Sequence, residues 1–141
     1  MAATWQFWAL LAAVFAAMTA IFAKLGVAEV NSDFATFLRT LVVIAVLAAI
    51  LWLRSGFEPL SAISPKGALF LVLSGLATGA SWLCYFRALK LGKVSQVAPV
   101  DKLSVVFVAL IAAVFLGEQM SVGGWTGVAL IATGAVMLAV F

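Results

Sequence analysis

The sequence predicts an all-α integral membrane protein, a bundle of five transmembrane helices. Three observations lead there. Of the 141 residues, 67% are hydrophobic and 9% are charged, and the mean hydropathy is +1.28. A soluble domain carries roughly 25% charged residues, so there is too little charge to wet a globular surface. Second, crossing the hydrocarbon takes about 20 mainly apolar residues, and five stretches reach that length. Third, the charged residues collect near the ends of those stretches. A soluble enzyme, a disordered tail and a nucleic-acid reader are excluded. The sequence pI of 9.4 reflects a formal net charge of only +3, which in so apolar a chain reads as topology charge rather than a nucleic-acid footprint.

The first span covers about residues 5–23 and holds no charge until Lys24. It has no positive n-region and is longer than the 7–15 residues typical of a signal-peptide core, so it is expected to be a retained helix. The second span covers about 33–53, with Arg39 inside and Ser32 and Asp33 as candidate caps. The third covers about 67–90, opening behind Ser64 and Pro65, a plausible N-cap and first-turn pair. The fourth covers about 98–116 and contains Asp101 and Lys102. The fifth covers about 122–141, with Ser121 as its expected cap. Gly26 and Gly92 each follow a Lys-Leu pair, which suits a helix C-terminus. The connection 54–66 is the only substantial loop, and the whole chain reads as one domain.

In a five-span chain the loops after the first and third spans share a side with the C-terminus. That side receives Lys24, Glu29, Asp33, Arg39, Arg87, Lys90, Lys93, Asp101 and Lys102; the other receives Arg54, Glu58, Lys66 and Glu118. Trp5, Trp8, Trp52 and Trp125 fall near the second side, as an interfacial belt would, and Trp82 lies within a span. The positive-inside rule places the N-terminus outside and the C-terminus in the cytoplasm, in the cell (inner) membrane. The bias is small and Arg54 and Lys66 oppose it, so insertion in both orientations stays open.

One cysteine, Cys84, and no histidine exclude a disulfide framework, a Cys/His metal site and a histidine-based catalytic triad. Neither an enzyme nor a cofactor is implied. The residues that can carry chemistry lie inside the spans. Arg39 sits about six residues, roughly 9 Å, into the second span. It is either an interfacial arginine reaching head groups or a pathway cation that pairs with Asp101 or receives an anionic substrate group. On a continuous helix the neighbours Asp101 and Lys102 point about 100° apart and do not form a simple pair. With Pro99 as the first helical residue, Asp101 favours the helix dipole; with Ser95 as the cap, the pair lies deeper. The third span carries a polar stripe of Ser74, Thr78, Ser81 and Tyr85. It either packs with satisfied hydroxyls or, through Ser81, Tyr85 and Arg87, lines a hydrated cavity. Gly75 and Gly79 beside it, and Gly123 and Gly127 in the fifth span, let backbones approach closely, within the chain or with a second copy. Glu118 is expected to serve the turn before the fifth span.

These residues carry a resemblance. The stretch 80–89, with Tyr85, Arg87, Ala88 and Leu89, is followed by 97–106 around Pro99, Asp101 and Lys102, and then by Leu116-Gly117-Glu118. Together they resemble an EamA domain, the repeat unit of the drug/metabolite transporter superfamily, and the resemblance covers essentially the whole chain. Most members are similar to two such units fused, whereas this chain is one, with Asp101-Lys102 where the family is usually apolar. The resemblance implies a carrier of a small metabolite, an exporter or exchanger, working by alternating access. An odd helix count makes two consecutive units point in opposite directions, as in the inverted repeats of many secondary transporters. A single unit meets that requirement by pairing, so a homodimer or a paired five-helix subunit is expected, with the lipid bilayer and a small-molecule substrate as the other partners. Arg39, Ser81, Tyr85, Arg87, Asp101 and Lys102 are the expected pathway residues. A non-transporting scaffold or regulatory subunit is the alternative.

Overall fold

A computed structural model of the chain describes residues 4–141. Among them the regular structure is entirely helical: α1 Trp5–Glu29, α2 Ser32–Leu53, a short 3-10 turn Leu60–Ala62, α3 Pro65–Leu91, α4 Val94–Asp101, α5 Ser104–Phe115 and α6 Val122–Val140. Five segments are long and apolar enough to cross a membrane, with α4 and α5 together forming the fourth span, Val94–Phe115. In lipid no water is available to pair a free N–H or C=O, so a spanning segment must satisfy its backbone internally, and helices do this.

Local chemistry sets most helix ends. Ser64 and Ser121 act as read from the sequence: Ser64 Oγ accepts from the Gly67 N–H at 3.1 Å, and Ser121 Oγ from the Gly124 N–H at 3.1 Å. The cap of α2 is a correction. It is Asn31, not Ser32 or Asp33, and its Oδ1 accepts from the Asp33 N–H at 2.8 Å and the Phe34 N–H at 3.3 Å. A second correction concerns Gly26. The helix runs through it to Glu29, because Val27, the very next residue, is 1% exposed and its packing outweighs the roughly 1 kcal/mol that an interior glycine costs. A genuine glycine stop occurs at Gly117, whose φ of +67° turns the chain after α5 so that the Glu118 N–H reaches the Ala112 carbonyl at 3.1 Å.

The fourth span departs most from expectation. It begins at Val94 behind Lys93, which makes no side-chain cap, so neither Pro99 nor Ser95 opens it. Pro99 lies in the interior of α4, where it has no N–H for the Ser95 carbonyl. Two residues later the helix is interrupted. Lys102 N–H bonds the Pro99 carbonyl, Leu103 the Val100 carbonyl, and Val105 the Lys102 carbonyl, each at 3.0 Å. These are 3-10 spacings, and α5 starts afresh at Ser104.

The chain forms two compact units. One comprises the chain up to Phe22 with Leu91–Phe141; the other comprises Ala23–Lys90. In the first, Ala20, Ala109, Ala112 and Ala135 are buried, and the Gln96 amide donates to the Ala139 carbonyl at 3.3 Å. In the second, burial concentrates at one end, in Ala23, Val27, Thr36, Phe86 and Leu89. The opposite ends of its helices, 41–53 and 68–81, are almost wholly exposed within the chain. A Cβ added at Gly75, Gly79 or Gly127 would meet nothing within 4 Å, and one at Gly123 only the Ser121 hydroxyl at 3.8 Å. The close approach those glycines permit is therefore not used within either unit among the described residues.

Candidate functional site

The second unit brings four cations to the buried end of its helices: Lys24, Arg39, Arg87 and Lys90. Their partners follow from helix chemistry. The last turn of a helix leaves carbonyls without intrahelical donors. Lys24, on α1, donates to the Leu89 carbonyl in the last turn of α3. Lys90, in the last turn of α3, donates to the Val30 carbonyl just beyond α1. Each helix thus supplies a donor for the other's end. Arg87 makes a bidentate contact with Asp33 at the start of α2, Nε to Oδ1 at 2.9 Å and Nη2 to Oδ2 at 2.7 Å. That fork geometry gives direction as well as attraction. The side chains are 60% and 46% exposed, so the pair fixes orientation more than it adds stability.

Arg39 has a different neighbour. Its guanidinium carbon lies 4.1 Å from the centroid of the Trp82 ring and 5.5 Å from that of Phe86. Trp82 and Phe86 are four residues apart on α3 and therefore share a face. Trp82, which lies within a span, thus sets its ring against the Arg39 guanidinium. Tyr85, half-buried, lies within electrostatic range of Arg39. Ser81 is exposed one turn before Tyr85. In the polar stripe, the Thr78 hydroxyl is satisfied by the Ser74 carbonyl at 2.9 Å.

Asp101 and Lys102 lie in the other unit, and here the sequence reading is corrected. They do form a pair, Nζ to Oδ2 at 3.1 Å. The 100° argument holds for a continuous helix, and the helix ends between them. The structure therefore gives Asp101 a lysine partner and Arg39 an aromatic one. Of the expected pathway residues, Arg39, Tyr85 and Arg87 gather at one end of α2 and α3. Asp101 and Lys102 meet at the break of the fourth span.

Sequence reasoning missed the roles of Asp33, Lys24, Lys90 and Phe86. The Trp82–Phe86 spacing was a readable signal for an aromatic face. Nothing in the sequence pairs Asp33 with Arg87, 54 residues away. Among the described residues no group of three or more His, Cys, Asp or Glu side chains could hold a metal ion.

Five apolar spans with ionised side chains tied at helix ends define a multi-pass membrane protein. The model of the EamA-like transporter family matches residues 3–140, and the chain belongs to that family. A protein of Sinorhizobium sp, described as an uncharacterized transporter in the cobO 3' region, is 59% identical over 141 residues, covering 100% of both chains. No solved structure matches. Family and relative alike point to a membrane transporter rather than an enzyme.

Proposed function

We propose that the protein carries a small metabolite across the cell (inner) membrane, as an exporter or exchanger, acting as a dimer of five-helix units with the N-terminus outside and the C-terminus cytoplasmic. The observation that carries this reading is the interruption of the fourth span at Asp101–Lys102. A charge at the bilayer centre costs about 2.5–3.5 kcal/mol on insertion scales, and at the break 3-10 bonds stand in for the regular helical ones. Transporters place such breaks where a substrate or coupling ion is handled. Within the second unit, Ser81, Tyr85, Arg39 and Arg87 are the proposed pathway residues. The uncovered faces at Gly75, Gly79 and Gly127 support pairing with a second copy.

The test is solute flux in liposomes containing the purified protein, using metabolites first selected by thermal stabilisation. Asp101→Asn and Arg39→Ala are expected to abolish flux while insertion persists. Wild-type flux in both would remove the site assignment. No flux from the wild type with any solute would instead favour a scaffold or regulatory subunit. Crosslinking in native membranes reads the pairing, and a monomer alone would remove the dimer.

A further inference from the structure

We propose that Arg39 anchors an oxyanion, a carboxylate or phosphate group, on the transported metabolite; this rests on the transporter reading above. Of the four cations at this end of the second unit, three are committed to oxygen. Lys24 is on the Leu89 carbonyl, Lys90 on the Val30 carbonyl and Arg87 on Asp33. Arg39 is not. Its partners are the flat faces of Trp82 and Phe86. An aromatic face attracts a cation through its quadrupole but accepts none of the five guanidinium N–H groups as an oxygen would. Among the described residues, Arg39 takes part in neither ion pair.

The geometry selects the ligand. The guanidinium carbon lies over both rings, whose carbons accept no N–H as an oxygen does, so the paired N–H donors of the fork are left for another acceptor. That fork matches the two oxygens of a carboxylate or phosphate. Contact with Trp82 and Phe86 restricts where the guanidinium sits before any ligand arrives, which lowers the ordering cost of binding. Arg39 also lies seven residues into α2, about 10 Å along the helix. A negative group reaching the part-buried Arg39 gains a counter-charge where solvent screens less than in bulk water. A cationic solute would meet repulsion there.

The experiment uses the purified full chain in detergent. Its unfolding midpoint is followed against sodium acetate, sodium phosphate and, at equal ionic strength, sodium chloride. Acetate or phosphate is expected to stabilise the protein beyond chloride. Arg39→Lys, which keeps the charge but loses the fork, should weaken that binding by about tenfold or more, and Trp82→Leu should weaken it less. An acetate and phosphate response unchanged in Arg39→Lys overturns the proposal, and the unliganded midpoint of that variant confirms that it has folded. A lipid head group carries the same chemistry, so lipid retained through purification is measured as well. If phosphatidylglycerol is retained by the wild type, lost from Arg39→Gln, and the soluble anions act no better than chloride, the oxyanion belongs to lipid and the assignment to a metabolite fails. Liposome flux separates the two levels. Flux confined to cationic solutes and untouched by Arg39→Lys sinks the anchor but leaves transport intact. Absence of all flux sinks transport itself.

Discussion

Among the described residues, two carboxylate–cation pairs differ in what they join. Asp33 and Arg87 are 54 residues apart and tie the start of α2 to the last turns of α3 through a two-pronged contact. Asp101 and Lys102 are neighbours, joined by a single contact where α4 gives way to α5. The first pair sits beside fully packed side chains, with Leu89 at 0% and Phe86 at 3% exposure. The second has no buried residue on its own helix. A contact between distant residues carries information about how helices are arranged. A contact between neighbours records only the local path of the backbone. Ionised groups in one membrane protein can therefore have separate duties, one set holding helices together and another marking a discontinuity.

The largest expected effect comes from the packing around the first pair. Leu89→Ala should cost about 2–5 kcal/mol, read from unfolding in mixed micelles, whereas Val100→Ala, beside the second pair, should stay within about 0.5 kcal/mol. Equal losses would erase the contrast. Charge reversal comes next. Asp33→Arg and Arg87→Asp should each lower the thermal midpoint, and the double variant should recover most of the loss. Exchanging Asp101 and Lys102 should leave the midpoint nearly unchanged while impairing flux. Failure of the first exchange to rescue would deny Asp33–Arg87 its orienting part. The smallest effect is that of Lys102→Gln on stability, within about 0–1 kcal/mol, measured by the same midpoint. A larger loss would show that the local pair also braces its surroundings.

Much of this architecture could be read in the residues, because a span is declared by length and hydropathy and both are local. The caps at Ser64 and Ser121 were legible for the same reason. What escaped depended on tertiary competition. Gly26 reads as a stop, yet Val27 is packed one residue later and the helix continues through it. Pro99 reads as a first-turn residue, but the start at Val94 carries no side-chain signal, since Lys93 caps nothing. The Asp101–Lys102 contact was hidden behind an assumption of helical continuity that fails at the very residues concerned. For the candidate site, Arg39, Tyr85 and Arg87 were found as residue types unusual in a span. Their partners Asp33 and Phe86 were not, because a chain 141 residues long offers many possible pairings and no local rule that ranks them.

The exchange of lysines between α1 and α3 sets a timetable for biogenesis. Lys24 waits for a carbonyl 65 residues further along the chain, and Lys90 reaches back 60. At synthesis rates of about 5–20 residues per second, the ammonium of Lys24 spends roughly 3–13 s without its Leu89 acceptor. During that interval water and lipid phosphates are the oxygens within its reach. The first helix is therefore made well before the third, and the clasp between them can close only once both exist.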